Sequence, residues 1–425
     1  MIIMERSVLE EFNHWWIKGF VDPELALSFK RDIYPTLIES MQNRFIIALT
    51  GLRRTGKTTL MYQLIQWLIQ SKVNPTDIFF FSFDEQPSGL DEVMESYKEM
   101  HNKDFRATRS YIFLDEVQKC GGNWINEIKK YYDLYPRLKF VISGSESLFI
   151  RKRTKETLAG RLLEFRIATF SLSEYLRFNG VTKSQMAYET VVKPLFAKFV
   201  AKGGFPETFT MQNDREFKEY IRSIVIDKII YKDIPKTFKV KDPEFLATLL
   251  ELVASNPGMY IDYQSLAKQF GKDRRVVKSY LDYLMKSFLI TMLGNYRRST
   301  EAALRKLKRA YPADTALIYL YKPNPDDSFS GKIVESAVVN GMGAKFFWKG
   351  RYEVDIVSNG IPIEIKYQES IGDNDFRQIL EFMNKFGVKE GVMVTKNDER
   401  IVKHKGRSIK LVPAWKWLLG QSQEL

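Results

Sequence analysis

Short apolar runs alternate with longer amphipathic stretches along the first 170 residues. The apolar runs predict strands at 45–50, 78–83, 111–114 and 140–143. Stretches with helical spacing of apolar positions lie between them, at 57–70, 90–101 and 124–132. This alternation is typical of a parallel sheet with helices on both faces, so the pattern predicts an α/β fold. The first 40 residues or so have the spacing of helices.

The pattern changes after residue 170. Residues 170–240 are mostly helical in spacing, and residues 243–296 form a compact three-helix pattern. A second α/β segment follows at 331–395. We therefore expect divisions near residues 170, 240 and 310, which is compatible with the length of 425 residues.

The amino-acid composition limits which partners and which kinds of catalytic site are expected. The chain has 65 Lys and Arg against 52 Asp and Glu, a net charge of +13, which favours a nucleic acid as partner and a membrane surface second. Cys120 is the single cysteine, and the three histidines are far apart in sequence. A disulfide within the chain and a zinc finger are excluded. Carboxylates, lysines and a hard metal ion are the expected tools of any catalysis.

The apolar runs are far shorter than the ~20 residues of a membrane helix. The first residues also lack a signal-peptide core. From these observations we expect a protein of the cytoplasm.

A phosphate-binding loop is predicted at residues 51–58. The segment reads Gly-Leu-Arg-Arg-Thr-Gly-Lys-Thr, follows an apolar run and opens a helix, which is the context that this motif requires. Backbone N–H groups and the helix N-terminus would bind phosphate. Lys57 would reach the β- and γ-phosphates and Thr58 would bind Mg²⁺. The expected nucleotide contacts are Gly51, Arg54, Thr55, Gly56, Lys57, Thr58 and Thr59. The alternative is an ordinary glycine-containing turn.

Two later strand ends complete this site. The run 111–114 ends in Asp115 and Glu116, so Asp115 is expected to hold Mg²⁺ and Glu116 to polarise the attacking water. The run 140–143 ends near Ser143 and Ser145, which suit a γ-phosphate sensor or a plain turn. Arg161 is a candidate to act in trans on the nucleotide of a neighbouring copy, and a surface arginine is the other interpretation.

Residues 263–286 have the outline of a helix-turn-helix. A helix at 263–270 ends at Gly271, and Asp273 is an N-cap for a helix at 274–286. Residues 271–310 contain 11 basic and 3 acidic residues, so most of the net charge lies there. The expected nucleic-acid contacts are Arg274, Arg275, Lys278, Arg297 and Arg298. A protein–protein module is the alternative.

A carboxylate hairpin is predicted at 353–367. Asn359-Gly360 separates two alternating runs, a strong hairpin signal. The resulting register places Asp355 opposite Glu364 and Glu353 opposite Lys366 on one face. Val354, Ile356, Ile363 and Ile365 lie on the other face. Two opposed carboxylates repel each other unless a metal ion lies between them. We expect Mg²⁺ or Mn²⁺ there, and the alternative is a solvated charged face.

The chain resembles the archaeal and bacterial AAA+-type P-loop ATPases that have a winged helix and a nuclease-like C-terminal domain. The resemblance rests on the segments 51–59, 114–118, 143–145, 159–161 and 203–207, which occur in family order. It implies that Pro206, in the last segment, lies near the adenine.

The order of elements around the hairpin resembles the PD-(D/E)XK nuclease core. On that resemblance Asp355, Glu364 and Lys366 match the catalytic signature, and Glu335 matches the acid of the preceding helix. Val354 stands where a proline is common. The resemblance implies that Glu335, Asp355 and Glu364 bind metal and that Lys366 stabilises the transition state.

These expectations combine into one hypothesis, a Mg·ATP-hydrolysing, DNA-binding ATPase. The P-loop core with N-terminal helices would cover residues 1–170, a helical lid 171–240, a winged helix 241–310 and a PD-(D/E)XK-like domain 311–425. A nuclease activity of the last part is left open. The alternative is a nucleotide-dependent switch or scaffold whose C-terminal domain binds nucleic acid or protein without cutting. A homo-oligomer is compatible with an Arg161 that acts in trans, and a membrane-surface ATPase ranks last.

Overall fold

The structure is a computed structural model that describes residues 4–84, 86, 88–144, 157–297 and 307–421. The chain forms two compact units, residues 1–168 and residues 169–425. No helix in these described ranges has the length and the apolar character needed to cross a bilayer.

The first unit is built on a parallel five-stranded sheet. Its strands are β1 (Ile46–Thr50), β2 (Ile78–Ser82), β3 (Ser110–Asp115), β4 (Leu138–Gly144) and β5 (Leu162–Arg166). They lie in the order β2-β3-β4-β1-β5. The helices of this unit are α1 (Arg6–Phe12), α2 (Trp15–Lys18), α3 (Tyr34–Met41), α4 (Lys57–Gln70), α5 (Leu90–Met100) and α6 (Trp124–Leu134).

Apolar side chains cover both faces of this sheet. One face packs against α5 and α6, through residues such as Phe79, Ile112 and Val93. The other packs against α3 and α4, through residues such as Phe80 and Leu64. Because β1 to β4 are buried on both faces, their sequences are continuous apolar runs rather than alternating ones. This burial is why the strands could be predicted from sequence, and the predicted α/β fold class is confirmed.

The second unit begins with helices. They are α7 (Leu172–Phe178), α8 (Glu189–Lys202), α9 (Asp214–Glu219) and α10 (Ile234–Phe238), with π-helical turns at Tyr220–Ile226 and Ile229–Asp233. The helix-turn-helix region follows. It consists of α11 (Pro243–Ser255), β6 (Met259–Ile261), α12 (Tyr263–Phe270), α13 (Arg274–Lys286), β7 (Ile290–Asn295) and β8 (Lys308–Pro312).

The last part of this unit is α/β. Its helices are α14 (Thr315–Tyr321), α15 (Asp327–Gly341), α16 (Arg377–Phe386) and α17 (Ala414–Gln421). Its strands are β9 (Phe346–Lys349), β10 (Glu353–Ser358), β11 (Ile361–Lys366), β12 (Glu390–Thr395), β13 (Arg400–His404) and β14 (Arg407–Pro413). The predicted order of helix, three strands, helix and strand is present.

One mixed sheet of nine strands runs through the second unit, in the order β13-β14-β12-β11-β10-β9-β7-β8-β6. It includes the strands of the helix-turn-helix region, because β7 pairs with β9 at Gly294–Phe346 and Asn295–Phe347. The boundary expected near residue 310 falls inside β8, which pairs with both β6 and β7. The divisions expected at 240 and 310 stay predictions, and the sheet is continuous across the second of them.

Candidate functional site

The loop between β1 and α4 is shaped by glycine. Gly56 has a φ of 87° and ends the loop, and Arg54 is also left-handed, with a φ of 64°. A Cβ on Gly51 would lie 2.2 Å from the carbonyl oxygen of Ile167. Only glycine fits at position 51, because that oxygen belongs to the backbone and cannot give way cheaply.

Polar groups of this loop are bound within the unit. The buried ammonium of Lys57 donates to the carbonyl oxygens of Gly51 at 3.2 Å and Leu52 at 2.8 Å. The hydroxyl of Thr55 donates to Leu52 O at 3.0 Å, and Arg31 donates to Thr55 O at 2.9 Å. Lys57 is thus held over the loop, where a phosphate could replace the carbonyls as its partner.

Asp115 joins the ends of β3 and β4 and the start of α4 into one polar cluster. Its carboxylate accepts a hydrogen bond from Thr58 Oγ1 at 2.7 Å and another from the hydroxyl of Ser143. Asp115 and Ser143 are both buried, and Thr58 and Thr59 are half-buried at the start of α4. The predicted grouping of Thr58, Asp115 and Ser143 is therefore present. Hydroxyl and carboxylate oxygens are ligands that suit Mg²⁺, so these side chains fit that ion.

Glu116 is held in an unusual conformation beside this cluster. Its φ of 50° and ψ of 43° are left-handed, which costs a non-glycine residue about 1–3 kcal/mol. Its N–H lies 3.1 Å from Asp115 Oδ1 and 3.4 Å from Ser143 Oγ, and Gln118 donates to its carboxylate. Burial raises the pKa of Glu116, and Asp115 adds to this effect, whereas Lys57 and Arg53 oppose it. A carboxylate with a raised pKa is a stronger base toward water.

Arg161 lies at the amino ends of the strands of the parallel sheet, whereas the phosphate loop lies at their carboxyl ends. Leu162 pairs with Ile46, at the start of β1, whereas the phosphate loop follows the end of β1. A five-residue strand spans about 16 Å. The guanidinium of Arg161 pairs with both carboxylate oxygens of Asp133, at 2.9 and 3.1 Å. Arg161 is therefore remote from the loop of its own chain, and only its trans role stays open as a prediction.

Two other expected residues of the nucleotide site, Ser145 and Pro206, stay predictions. Ser145 lies outside the described residues. Pro206 opens a short 3₁₀ turn in the second unit, at Pro206–Thr210. The glycines before it have a local role, because a Cβ on Gly203 would lie 1.8 Å from Asp314 Oδ1, and the N–H of Gly204 donates to that carboxylate. The expected contact of Pro206 with adenine stays a prediction.

The helix-turn-helix has the predicted bounds. Gly271 has a φ of 61° and ends α12, and Asp273 caps α13 by accepting from Arg275 N–H at 2.7 Å. Arg274, Arg275 and Lys278 are exposed on α13, whereas Arg297 is half-buried. Arg298 lies outside the described residues. The three cationic side chains of α13 are therefore accessible to a polyanion.

The hairpin of β10 and β11 has the predicted register. Ile356 pairs with Ile363, and Asn359 and Gly360 both have positive φ, as a tight type I′ turn requires. Beyond the Ile356–Ile363 pair, backbone N–H groups donate to carboxylate side chains rather than to backbone carbonyl groups. The N–H of Ile365 donates to Asp355 Oδ2 at 2.9 Å, and the N–H of Asp355 lies 3.4 Å from Glu364 Oε2.

The prediction of one apolar and one acidic face is wrong for this hairpin. Val354 packs with Trp348 and Phe382, whereas Ile356 packs in a different cluster with Ile363. The cause is a register shift between Val354 and Val357 in the pairing of β10 with β9, which breaks the alternation of side chains. The paired ladder ends at Ile356 and Ile363, so the expected opposition of Glu353 and Lys366 lies beyond it.

The acids of this region have other partners. Arg309 Nη1 contacts Glu353 at 2.9 Å and Asp355 at 3.1 Å, and its Nη2 contacts Glu335 at 2.5 Å. Among the described residues, no group of three or more His, Cys, Asp and Glu is arranged to hold a metal ion. The expected metal group of Glu335, Asp355 and Glu364 is therefore not formed, because a guanidinium bridges two of its members.

Glu364 and Lys366 form a separate pair. Their charged groups are 3.0 Å apart, and Glu364 is buried. Burial raises the pKa of Glu364 well above its usual value, and Asp355 adds to the shift. Burial alone would lower the pKa of Lys366, but Glu364 more than offsets this and the pKa is raised. Lys366 favours the ionised form of Glu364, but burial and Asp355 outweigh this effect.

Arg309 and Asp314 are buried charged residues with structural contacts that the sequence pattern does not predict. Arg309 was counted within the basic segment, and nothing in its spacing distinguishes it from an exposed cation. Its partners lie 26 to 46 residues away in sequence, so the contacts depend on the fold. Asp314 likewise binds the glycine segment 110 residues before it. The one available signal was Ala310-Tyr311 next to Arg309, since an apolar neighbourhood indicates a buried strand.

Two family models and several proteins are similar in sequence to parts of this chain. Residues 43–176 match the family described as an AAA domain. Residues 193–327 match a family described as a domain of unknown function. An uncharacterized protein of Methanocaldococcus jannaschii is 26% identical over 433 aligned positions, which cover 93% of this chain and 92% of that protein. An uncharacterized protein of Haemophilus influenzae is 23% identical and covers 69% of this chain and 73% of its own length.

Two similar solved structures have low sequence identity to this chain. The Thermotoga maritima RuvB Holliday junction branch migration motor is 14% identical, with a TM-score of 0.31, over 64% of this chain and 93% of that one. The Aeropyrum pernix ORC1 protein in complex with DNA is 12% identical, with a TM-score of 0.32, over 69% of this chain and 91% of that one. These scores are too low to say anything about activity. The predicted resemblance to AAA+-type P-loop ATPases is confirmed by the AAA domain match, and the nuclease resemblance stays a prediction.

Proposed function

We propose that this chain, whose residues 43–176 match the AAA domain family, binds and hydrolyses Mg·ATP. The observation that carries the proposal is the cluster of Lys57, Thr58, Asp115, Ser143 and Glu116 around the end of one parallel sheet. The motif that supplies Lys57 and the acids that follow β3 are far apart in sequence, and the fold brings them together.

Binding would exchange the partners of Lys57. Its ammonium would turn from the carbonyls of Gly51 and Leu52 to the β- and γ-phosphate oxygens, while N–H groups at the start of α4 bind the same phosphates. Thr58 and Asp115 would hold Mg²⁺, whose charge offsets that of the phosphates. Of the other expected contacts, Thr55 supports the loop and Arg54 is exposed beside it.

Hydrolysis would depend on Glu116. Its raised pKa suits it to accept hydrogen bonds from the attacking water and to take up a proton. Ser143 would fix the position of Asp115 and of the Glu116 backbone. Arg161 would need a neighbouring copy of the chain to reach a γ-phosphate, and its pairing with Asp133 would have to open.

The test separates binding from hydrolysis. Glu116→Gln keeps the shape of the side chain and removes the base, so ATP affinity should stay within about 3-fold while the rate of hydrolysis falls about 100-fold or more. Lys57→Ala should weaken ATP binding itself. A matched control is Glu127→Gln, which replaces another glutamate of the same unit on α6. Unchanged hydrolysis in Glu116→Gln would contradict the assignment of Glu116.

We further propose that α13 binds DNA through Arg274, Arg275 and Lys278. The supporting observation is that all three are exposed on the second helix of a helix-turn-helix. Replacing the three residues by Ala should weaken DNA binding. The logarithm of the binding constant should also fall less steeply with the logarithm of the salt concentration, its slope being smaller in magnitude by about 3. The control replaces three exposed lysines of the β13–β14 region, Lys403, Lys405 and Lys410. Equal loss in both variants would indicate that net charge, rather than α13, is responsible.

A second candidate function is a nucleotide-dependent switch or scaffold whose C-terminal part binds nucleic acid or protein and does not cut nucleic acid. The observation that favours it is the pairing of Asp355 and Glu335 with Arg309. A switch would hydrolyse ATP slowly and at a rate that DNA does not change. A DNA-processing motor would hydrolyse ATP faster when DNA is added, and metal-dependent cutting that Asp355→Ala abolishes would support a nuclease.

A further inference from the structure

Three carboxylates of the second unit converge on one buried guanidinium. Arg309, on β8, contacts Glu335 of α15 and both Glu353 and Asp355 of β10. Its Nε donates to the carbonyl oxygen of Gly258 at 2.9 Å. The Arg309 side chain is 3% exposed, so this is an interior ion cluster rather than a surface pair.

The charge of the cluster is balanced by side chains alone. Lys332 contacts the second oxygen of Glu335 at 2.8 Å, and Lys349 lies 3.4 Å from Glu353. With Arg309, three cations therefore face the three carboxylates. The hydroxyl of Tyr311 donates to Glu335 at 2.6 Å, and that of Tyr260 donates to Glu353. Burial raises the pKa of Tyr311, with Glu335 adding to the shift, so this hydroxyl stays protonated and a donor.

The oxygen atoms that would bind a metal ion are already engaged. Both oxygens of Glu335 accept hydrogen bonds, and Asp355 accepts from Arg309 with one oxygen and from Ile365 N–H with the other. Glu364 is paired with Lys366. A divalent cation at this place would have to displace these donors and lie next to the positive guanidinium, which is unfavourable at low dielectric. The residues do not fit a resident metal ion.

We infer that Arg309 is the structural cation of this acidic cluster, in place of a divalent metal ion, and that it fastens β8 to β10 and α15. The arginine belongs to the region expected to be a winged helix, and its carboxylate partners belong to the region expected to be nuclease-like. The acids that match a nuclease signature are then used to join the two regions. A buried arginine with three carboxylate partners suits that role, since its planar fork presents several donors in fixed directions.

The first test uses Mn²⁺ as the probe and the full chain without nucleotide. Mn²⁺ binding is followed by electron paramagnetic resonance in the wild type and in Asp355→Asn. We expect the two titrations to coincide, because Asp355 holds no metal in the presence of Arg309. A site in the wild type that Asp355→Asn weakens about 10-fold or more would overturn the inference.

The second test removes the guanidinium. Arg309→Met leaves three carboxylates without their central cation, so its melting temperature in EDTA should fall clearly below that of the wild type, and added Mn²⁺ should recover part of the loss. Arg309→Lys should lose less, since it keeps the charge. The control is Lys308→Met on the same strand, whose side chain is only half-buried and should have little effect. An Arg309→Met protein as stable as the wild type would contradict the structural role. If it does not fold, the Mn²⁺ comparison of the wild type and Asp355→Asn still decides.

Discussion

At the scale of single residues, the first unit contains a buried lysine, Lys139, whose ammonium group donates to backbone carbonyl groups. Lys139 of β4 donates to the carbonyl oxygens of Ser40 at 2.7 Å, Asn43 at 2.9 Å and Phe45 at 2.6 Å. These contacts tie the end of α3 and the start of β1 to the sheet. Burial lowers the pKa of Lys139 to about 7, and Arg109 adds to the shift.

This pKa gives the first unit a defined pH dependence. Between about pH 7 and 10.5 the unfolded chain keeps a proton on Lys139 that the folded chain has lost, so raising the pH stabilises the folded state by up to about 1.4 kcal/mol per pH unit. Urea unfolding at pH 7 and pH 9 should show the wild type gaining about 2 kcal/mol relative to Lys139→Met. Lys130→Met, at an exposed position of α6, is the control. Parallel behaviour of the wild type and Lys139→Met would contradict the lowered pKa.

The residue scale also shows what a sequence can predict. Lys57, Thr58 and Asp115 could be assigned because a local motif and a strand end fix their positions relative to the sheet. Arg309 could not be assigned, because its burial depends on acids far away in sequence. A basic residue in a basic segment looks exposed until the strand pairing that buries it is known.

At the scale of elements, the Gly203-Gly204 segment shows a turn fixed by a tertiary contact. Gly203 has a φ of 76°, and a Cβ there would overlap Asp314, whose carboxylate binds Thr169, Gly204 and Ala316. The sequence indicated a turn here, and the resemblance assigned it to the adenine. Asp314, at the start of α14, leaves no room for a side chain at Gly203, and the backbone of Phe170 leaves none at Gly204, where a Cβ would lie 2.5 Å from the Phe170 carbonyl oxygen.

A matched pair of substitutions tests this role. Gly180 has nearly the same φ, 78°, but open space where a Cβ would be. Gly180→Ala should cost about 1–2 kcal/mol for the left-handed backbone alone. Gly203→Ala should cost more than about 4 kcal/mol, because Asp314 must also move. Chemical denaturation of the second unit measures both. Equal losses would show that the contact with Asp314 is unimportant.

The hairpin shows where prediction from periodicity fails. Its turn and register followed from Asn359-Gly360 and were confirmed. The assignment of side chains to its two faces could not be predicted from the alternation, because the register shift between β9 and β10 places Val354 and Ile356 in different clusters. A bulge depends on the neighbouring strand, so alternation along one hairpin does not reveal it.

At the scale of the whole molecule, the second unit is organised by its nine-stranded sheet. The helix-turn-helix and the order of helix, three strands, helix and strand from α15 to β12 were predictable from local patterns, whereas β13, β14 and α17 were not predicted. The continuity of the sheet from β6 to β14 was not predictable, because it rests on the parallel pairing of β7 with β9, whose paired residues are 52 positions apart in sequence. Arg309 reinforces the same junction from β8.

This continuity predicts how fragments behave. Residues 311–425 alone would lose β7 and Arg309, which exposes the edge of β9 and leaves Glu335, Glu353 and Asp355 without their shared cation. We expect this fragment to melt at a lower temperature and less cooperatively than residues 169–425. Circular dichroism during heating measures both. An equal and equally sharp transition would support an independent domain that begins near residue 311.

The central claim is that Lys57, Thr58, Asp115 and Glu116 form a site for ATP hydrolysis. The most direct measurement is the release of inorganic phosphate from ATP by the purified chain with Mg²⁺ or with EDTA, next to Lys57→Ala and Glu116→Gln. We expect Mg²⁺-dependent release of phosphate by the wild type and a loss of about 100-fold or more in both variants. Release that is equal in the wild type and both variants, or absent from the wild type although ATP is bound, would contradict this claim.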